Sequence, residues 1–182
     1  TLSPCLAAGT ASAAGFIEDS KASLQLSNYY FNRDFRDGAG QNKREEWAQG
    51  FILDLRSGYT AGTVGFGLDA LGMLGLKLDS SPDRTGSGLL PTHDDGRAAD
   101  EFGRVGLTAK VRVSNSELKY GTLIPKLPTL QANTGRILPQ TFDGGLLTVK
   151  EVEGLTLTGA RFERMTDRDS TNAVGLTLNN KN

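Results

Sequence analysis

Arg104-Val105-Gly106-Leu107-Thr108-Ala109-Lys110-Val111-Arg112-Val113 alternates without a break. From Val105 on, the odd positions are Val, Leu, Ala, Val and Val. The even ones carry Arg104, Lys110 and Arg112, with Gly106 and Thr108 between. Successive side chains of a strand point to opposite faces. The stretch therefore reads as a strand with one apolar face and one row of cations. A soluble sheet accepts such a strand, with its cations in water and its apolar face in a core. A transmembrane barrel accepts it too, with the apolar face on lipid and the cations facing a water-filled lumen.

The rest of the chain narrows the choice. Its 182 residues suffice for one domain with a real core. A formal net charge of −1 gives no bulk attraction for nucleic acid, and no nucleic-acid partner is expected. No window supplies the roughly 20 apolar residues that a membrane helix needs. The nearest, 64–78, is broken by Asp69, Lys77 and four glycines. Barrel strands are only half apolar and escape that test.

Cys5 is the only cysteine and His93 the only histidine, so neither an internal disulfide nor a metal cluster is expected, and no cofactor is implied. Residues 1–14 are small, apolar and uncharged. They read as the back end of a secretory signal peptide, with Ala11-Ser12-Ala13 as an A-x-A cleavage site. A flexible tail is the plainer alternative. A signal peptide would make this an exported protein, with residues 15–182 as its folded part.

Six further segments alternate like the first. Residues 21–31 set Leu24 and Leu26 against Gln25 and Ser27; 46–59 set Phe51, Leu53 and Leu55 against Asp54 and Arg56. Residues 63–78 set Val64, Phe66 and Leu68 against Gly65, Gly67 and Asp69. In 118–123, Lys119 opposes Leu118 and Tyr120. Residues 146–152 and 155–163 follow, and 174–178 start another strand. In 155–163 the apolar parity changes, which predicts a bulge near Gly159. Between strands lie a polar turn with Asp37-Gly38, a long polar loop over 80–100, and a proline-rich loop over 124–140. About eight strands result, with no convincing helix.

Strands near ten residues long, with short turns at one end and longer loops at the other, fit an outer-membrane barrel. Tyr29, Tyr30, Phe31, Trp47 and Tyr59 fall at strand ends, where interface aromatics belong. Pattern alone leaves a secreted soluble β-sandwich or adhesin equally open.

Several motifs carry a resemblance. Gly15-Phe16-Ile17-Glu18-Asp19-Ser20, Asn28-Tyr29-Tyr30-Phe31-Asn32-Arg33-Asp34 and Gly62-Thr63-Val64-Gly65-Phe66-Gly67-Leu68-Asp69-Ala70 resemble the OprD-family porins of Pseudomonas and its relatives. So do Leu74-Gly75-Leu76-Lys77-Leu78-Asp79, Lys110-Val111-Arg112-Val113-Ser114 and Arg136-Ile137-Leu138-Pro139-Gln140-Thr141-Phe142. The resemblance implies an all-β fold, an antiparallel transmembrane β-barrel of about eighteen strands. This chain is then an N-terminal fragment of one. It further implies outer-membrane localisation, grouping in trimers, contact with lipid and lipopolysaccharide, and an inward-folded loop that narrows the pore. The expected function is passive, substrate-selective diffusion of small carboxylate-bearing solutes such as amino acids and aromatic acids.

The residues suggest how. Rows of Arg and Lys in a low-dielectric pore concentrate anions, and Arg grips a carboxylate with two parallel hydrogen bonds. Arg104, Lys110, Arg112 and Lys119 are expected to form a basic ladder. Some of them would be balanced by Asp54, Asp69 or Glu117. The loop 124–140, stiffened by Pro125, Pro128 and Pro139, is the candidate constriction, with Lys126 and Arg136 bringing charge to it. The rival reading, an outer-membrane barrel enzyme, would draw on His93 with Asp94 and Asp95. These lie in a polar loop without a positioned nucleophile, so no catalytic residue is assigned.

Overall fold

The structure, a computed structural model, describes residues 14–36 and 40–176. All of the 1–14 signal-peptide stretch but Ala14, the Asp37-Gly38 turn and residues 177–182 lie outside them. A short helix α1 (Ala14–Glu18) precedes eight strands: β1 (Lys21–Asp34), β2 (Lys43–Arg56), β3 (Val64–Asp79), β4 (Glu101–Val113), β5 (Ser116–Leu123), β6 (Thr141–Val149), β7 (Leu157–Thr166) and β8 (Ala173–Gly175). They form one sheet in sequence order, each antiparallel to its neighbour. Hairpin-by-hairpin order is what short connections between antiparallel strands produce. No second sheet covers it among the described residues, which removes the sandwich reading.

Register puts each apolar set on one face. Leu24 lies opposite Leu53, and Phe66, Val111, Leu118 and Leu147 form a row across four strands. This outer face is bare: Leu26, Leu53, Phe66, Leu68, Leu107 and Leu118 are exposed, and Val105 is 80% exposed. A water-soluble protein rarely exposes so continuous an apolar band. Tyr30 and Trp47 are register partners and exposed on this face, and the Trp47 indole donates to Asn28 at 2.9 Å. Of the five aromatics expected at an interface, these two fit. Phe31 packs against the inner cluster, Tyr59 lies beneath two cations, and Tyr29 pairs in register with buried Ala48.

The inner face is covered by the two longest connections, 80–100 and 124–140. Both follow odd-numbered strands, so both leave the sheet at the same end. Leu89 and Leu90 from the first, and Ile137 and Leu138 from the second, pack with Ala48, Met73, Phe102 and Ala98. The 80–100 loop is thus not simply polar. Its apolar pairs, Leu89-Leu90 and Ala98-Ala99, are buried, and its Ser87 amide (3.0 Å) and hydroxyl donate to the buried Glu46 carboxylate on β2. The 124–140 loop is tied internally by bonds from the Ala132 amide to the Pro125 carbonyl (2.9 Å) and from the Gln140 amide to the Asn133 carbonyl (2.8 Å). Its C-terminal end lies so close to β2 that a Cβ on Gly50 would sit 2.8 Å from both Ile137 Cγ1 and Ile137 O.

The expected bulge is displaced. Pairing runs regularly through Leu147 and Gly159. It shifts where Asp143 faces Arg164 and Gly144 faces Phe162, leaving Glu163 as the extra residue. Leu155 precedes β7 and so sets no strand parity.

Candidate functional site: a charged inner wall

The inner parity of β4 carries Arg104, Lys110 and Arg112, and register brings Lys119 of β5 opposite Lys110. The same face of β2 and β3 supplies Asp54, Arg56 and Asp69. The alternation thus assembles one charged wall, but its members are engaged very differently.

Lys110 is buried. Its Nζ lies 2.5 Å from Asp69 Oδ1, 2.7 Å from the Ser57 carbonyl and 5.0 Å from the Tyr59 ring centroid. Arg104 is bound to backbone: Nη1 donates to the carbonyls of Asp167 (2.6 Å) and Ser170 (2.8 Å), and Nη2 to that of Pro139. It ties the end of the 124–140 loop to the turn before β8. Both cations were expected in the ladder, and both are consumed by local structure. A charge held by a carboxylate or by three carbonyls has few donors left for a passing anion.

Arg112 is exposed, with its guanidinium 4.3 Å from the Tyr59 ring centroid, a cation–π arrangement. The Tyr59 hydroxyl donates to Glu117, whose other oxygen lies 3.3 Å from Lys119 Nζ. Burial, and then that hydrogen bond, push the Tyr59 phenol well above its usual value. The ring therefore stays neutral. Asp54 accepts from Arg56 Nε at 3.0 Å and Nη2 at 2.6 Å. Lys126 is exposed on the loop, and Arg136 sits with its guanidinium 5.3 Å from the Phe31 ring centroid.

A cavity of about 610 Å³ lies beside Arg104, Asp143 and Arg164. Arg56 borders three others along this wall. One, of about 270 Å³, is bounded also by Asp54, Asp69, Lys119 and Lys126. A second, of about 460 Å³, runs between the 124–140 loop and β1–β3 past Gln25, Asp54, Lys126 and Arg136. A third, of about 550 Å³, opens at the short-turn end beside Tyr59, Lys110 and Arg112. The sequence reading missed Arg56 and Tyr59 as site residues. Arg56 was legible, because it shares the parity of Asp54. Tyr59 was not, because it sits in a turn where no period says which way a ring points.

Residues 14–182 match the family model described as outer membrane porin, OprD family. The chain belongs to the OprD family of outer-membrane porins. It is 50% identical over 166 residues to the porin-like protein GalP of Pseudomonas putida, covering 91% of this chain and 40% of that protein. It is 49% identical over 152 residues to Porin D of Pseudomonas aeruginosa, covering 84% and 34%. Among solved structures, OccK9 (OpdG) of P. aeruginosa matches with a TM-score of 0.86 and 59% identity, over 88% of this chain and 42% of that one. A BenF-like porin from Pseudomonas fluorescens gives 0.85 and 51%, over the same shares. OpdK of P. aeruginosa, solved with vanillate, gives 0.81 and 53%, over 90% and 40%. The chain thus spans about two fifths of the length of its relatives. The eight-stranded sheet is part of a larger porin barrel in the outer membrane, and its bare apolar face is the lipid-facing one. Those relatives are channels rather than enzymes.

Proposed function

We propose that this part of the porin forms one wall of a narrow diffusion path for small carboxylate-bearing solutes, amino acids and aromatic or other organic acids among them. The observation that carries the reading is Arg56, which borders three inner cavities while other cations line each in turn. The working ladder is then Arg136 and Lys126 near the loop, Lys119 and Arg56 below it, and Arg112 at the short-turn end. Arg112, Lys126 and Arg136 have no carboxylate partner among the described residues, Lys119 lies 3.3 Å from Glu117, and Arg56 is shared with Asp54, so an anion meets several partial partners in succession. Conduction needs such multi-site binding rather than one tight clamp. The 124–140 loop, seated on the inner face by Ile137 and Leu138, is the element that narrows the path. A relative solved with vanillate supports an aromatic carboxylate as one solute.

The test is conductance of the full-length parent porin in planar bilayers, with benzoate and arginine as candidate blockers. Discrete openings interrupted by benzoate, with anion selectivity reduced in an Arg56→Gln/Arg112→Gln/Lys119→Gln variant, are expected. Unchanged selectivity in that variant would reject the ladder.

A further inference from the structure

The motif Gly15–Ser20 has no part in the ladder, yet the fold places it with care. It forms α1 and the turn after it, docked on the β2–β3 turn. The Gly58 amide donates to the Phe16 carbonyl at 2.8 Å and to Ser20 Oγ at 3.3 Å, while Ser20 Oγ donates to the same Phe16 carbonyl at 2.6 Å. The approach is closer than any side chain allows: a Cβ on Gly58 would lie 2.8 Å from the Asp19 Cβ. The next residue is Tyr59, whose ring carries Arg112 and Lys110. Glu18 and Asp19 therefore border the same 550 Å³ cavity as Arg56, Lys110 and Arg112.

The charges in that cavity are unevenly matched. Lys110 is neutralised by Asp69, and Arg56 by Asp54. Arg112 rests on a neutral ring, and among the described residues no ion pair joins Glu18 or Asp19 to it. Two exposed carboxylates, Glu18 and Asp19, thus face two exposed cations, Arg112 and Lys21, at a single mouth. The short turns of outer-membrane barrels lie on the periplasmic side, so this mouth is the exit of an inward path.

We propose that α1 is an exit lip, whose Glu18 and Asp19 set the rates at which anions cross this mouth by opposing the pull of Arg112 and Lys21. The inference rests on the carboxylate reading above. A solute carboxylate reaching Arg112 from the loop side meets two fixed negative charges, which shorten its stay and favour release. An anion arriving from the periplasmic side meets the same charges first and enters less often. Two unit charges across a water-filled mouth at moderate salt change such rates by roughly threefold.

The experiment compares the full-length porin with its Glu18→Gln/Asp19→Asn variant, in bilayers with one insertion orientation and benzoate added to one side at a time. Both side chains are exposed, and retained heat-modifiable migration on gels confirms folding. The variant is expected to hold benzoate about three times longer and to admit it about three times faster from the short-turn side, with entry from the loop side unchanged. Identical dwell times and entry rates in the two proteins would overturn the lip. Reversal potential in a dilute KCl gradient gives a readout free of benzoate. A shift toward anions on neutralising the pair supports the lip even where benzoate fails to block, a failure that would count against the carboxylate reading alone. No shift in that gradient counts against the lip itself.

Discussion

Gly50→Ala is the sharpest perturbation of the 124–140 loop, because it adds a single methyl group under the loop's seat. The added Cβ would lie 2.8 Å from Ile137 Cγ1 and 2.8 Å from Ile137 O, about 0.6 Å inside the 3.4 Å of an ordinary contact. A side chain could rotate away, but a backbone oxygen cannot, so the loop itself must lift. Overpacking of this kind costs about 1–3 kcal/mol. Burial of Ile137 and Leu138 holds the loop with about 1.5–3 kcal/mol each. The penalty is smaller than the seat, so the loop stays docked most of the time. A cost of about 2 kcal/mol still raises the undocked population about thirtyfold. Single-channel recording of the full-length porin should then show brief excursions to a higher conductance that the wild type rarely visits. Gly72→Ala is the internal control. Its Cβ would meet only Leu53 Cβ, at 3.9 Å on the outer face, so it should record like the wild type. Identical traces for Gly50→Ala and Gly72→Ala would refute the claim that the loop's seat on β2 controls the width of the path.

Two other outcomes follow from individual contacts. Lys110→Met leaves the partly buried Asp69 without its partner, and breaking such a pair costs up to about 3 kcal/mol, the low end for a fully buried one. Unfolding of the full-length porin from detergent by urea should show that loss, most of it recovered in a Lys110→Met/Asp69→Leu double variant, which keeps the net charge and should leave anion selectivity little changed. At the short-turn end, Glu151 accepts from the hydroxyls of Ser116 (2.6 Å) and Ser114 (2.8 Å) and from the Asn115 amide (3.1 Å). Those bonds hold its carboxyl below the ordinary value, Ser116 first. A depressed folded value stabilises above the unfolded value and ceases to as pH falls through the folded one. Protection of the Asn115 amide, taken relative to its intrinsic exchange rate at each pH, should therefore be high at neutral pH and fall in acid, and Glu151→Gln should abolish that change in protection.

The period-two pattern of 104–113 was enough to give β4 and its two faces, because a strand's side chains have no freedom to change sides without a bulge. The same rule located β2 and β3 and brought Asp54, Asp69, Arg112 and Lys119 onto one wall. It failed where local geometry overrides parity. The bulge sits at Glu163 rather than Gly159, a difference set by pairing with β6 that β7 alone does not encode. It failed also for the 80–100 loop, where two leucines among many polar residues carry no period, yet both are buried.

Sequence by itself determined the strands and which face of each is apolar and which is charged. These are properties of spacing along one chain. Only the tertiary structure decided which of those charges remain available. Lys110 and Arg104 look like Arg112 in the alternation, but each meets partners distant in sequence: Asp69 and Ser57 for the first, Pro139, Asp167 and Ser170 for the second. Arg112 meets a ring and open water. Parity fixes the side of the sheet on which a cation stands, whereas its free valence depends on what folds over it.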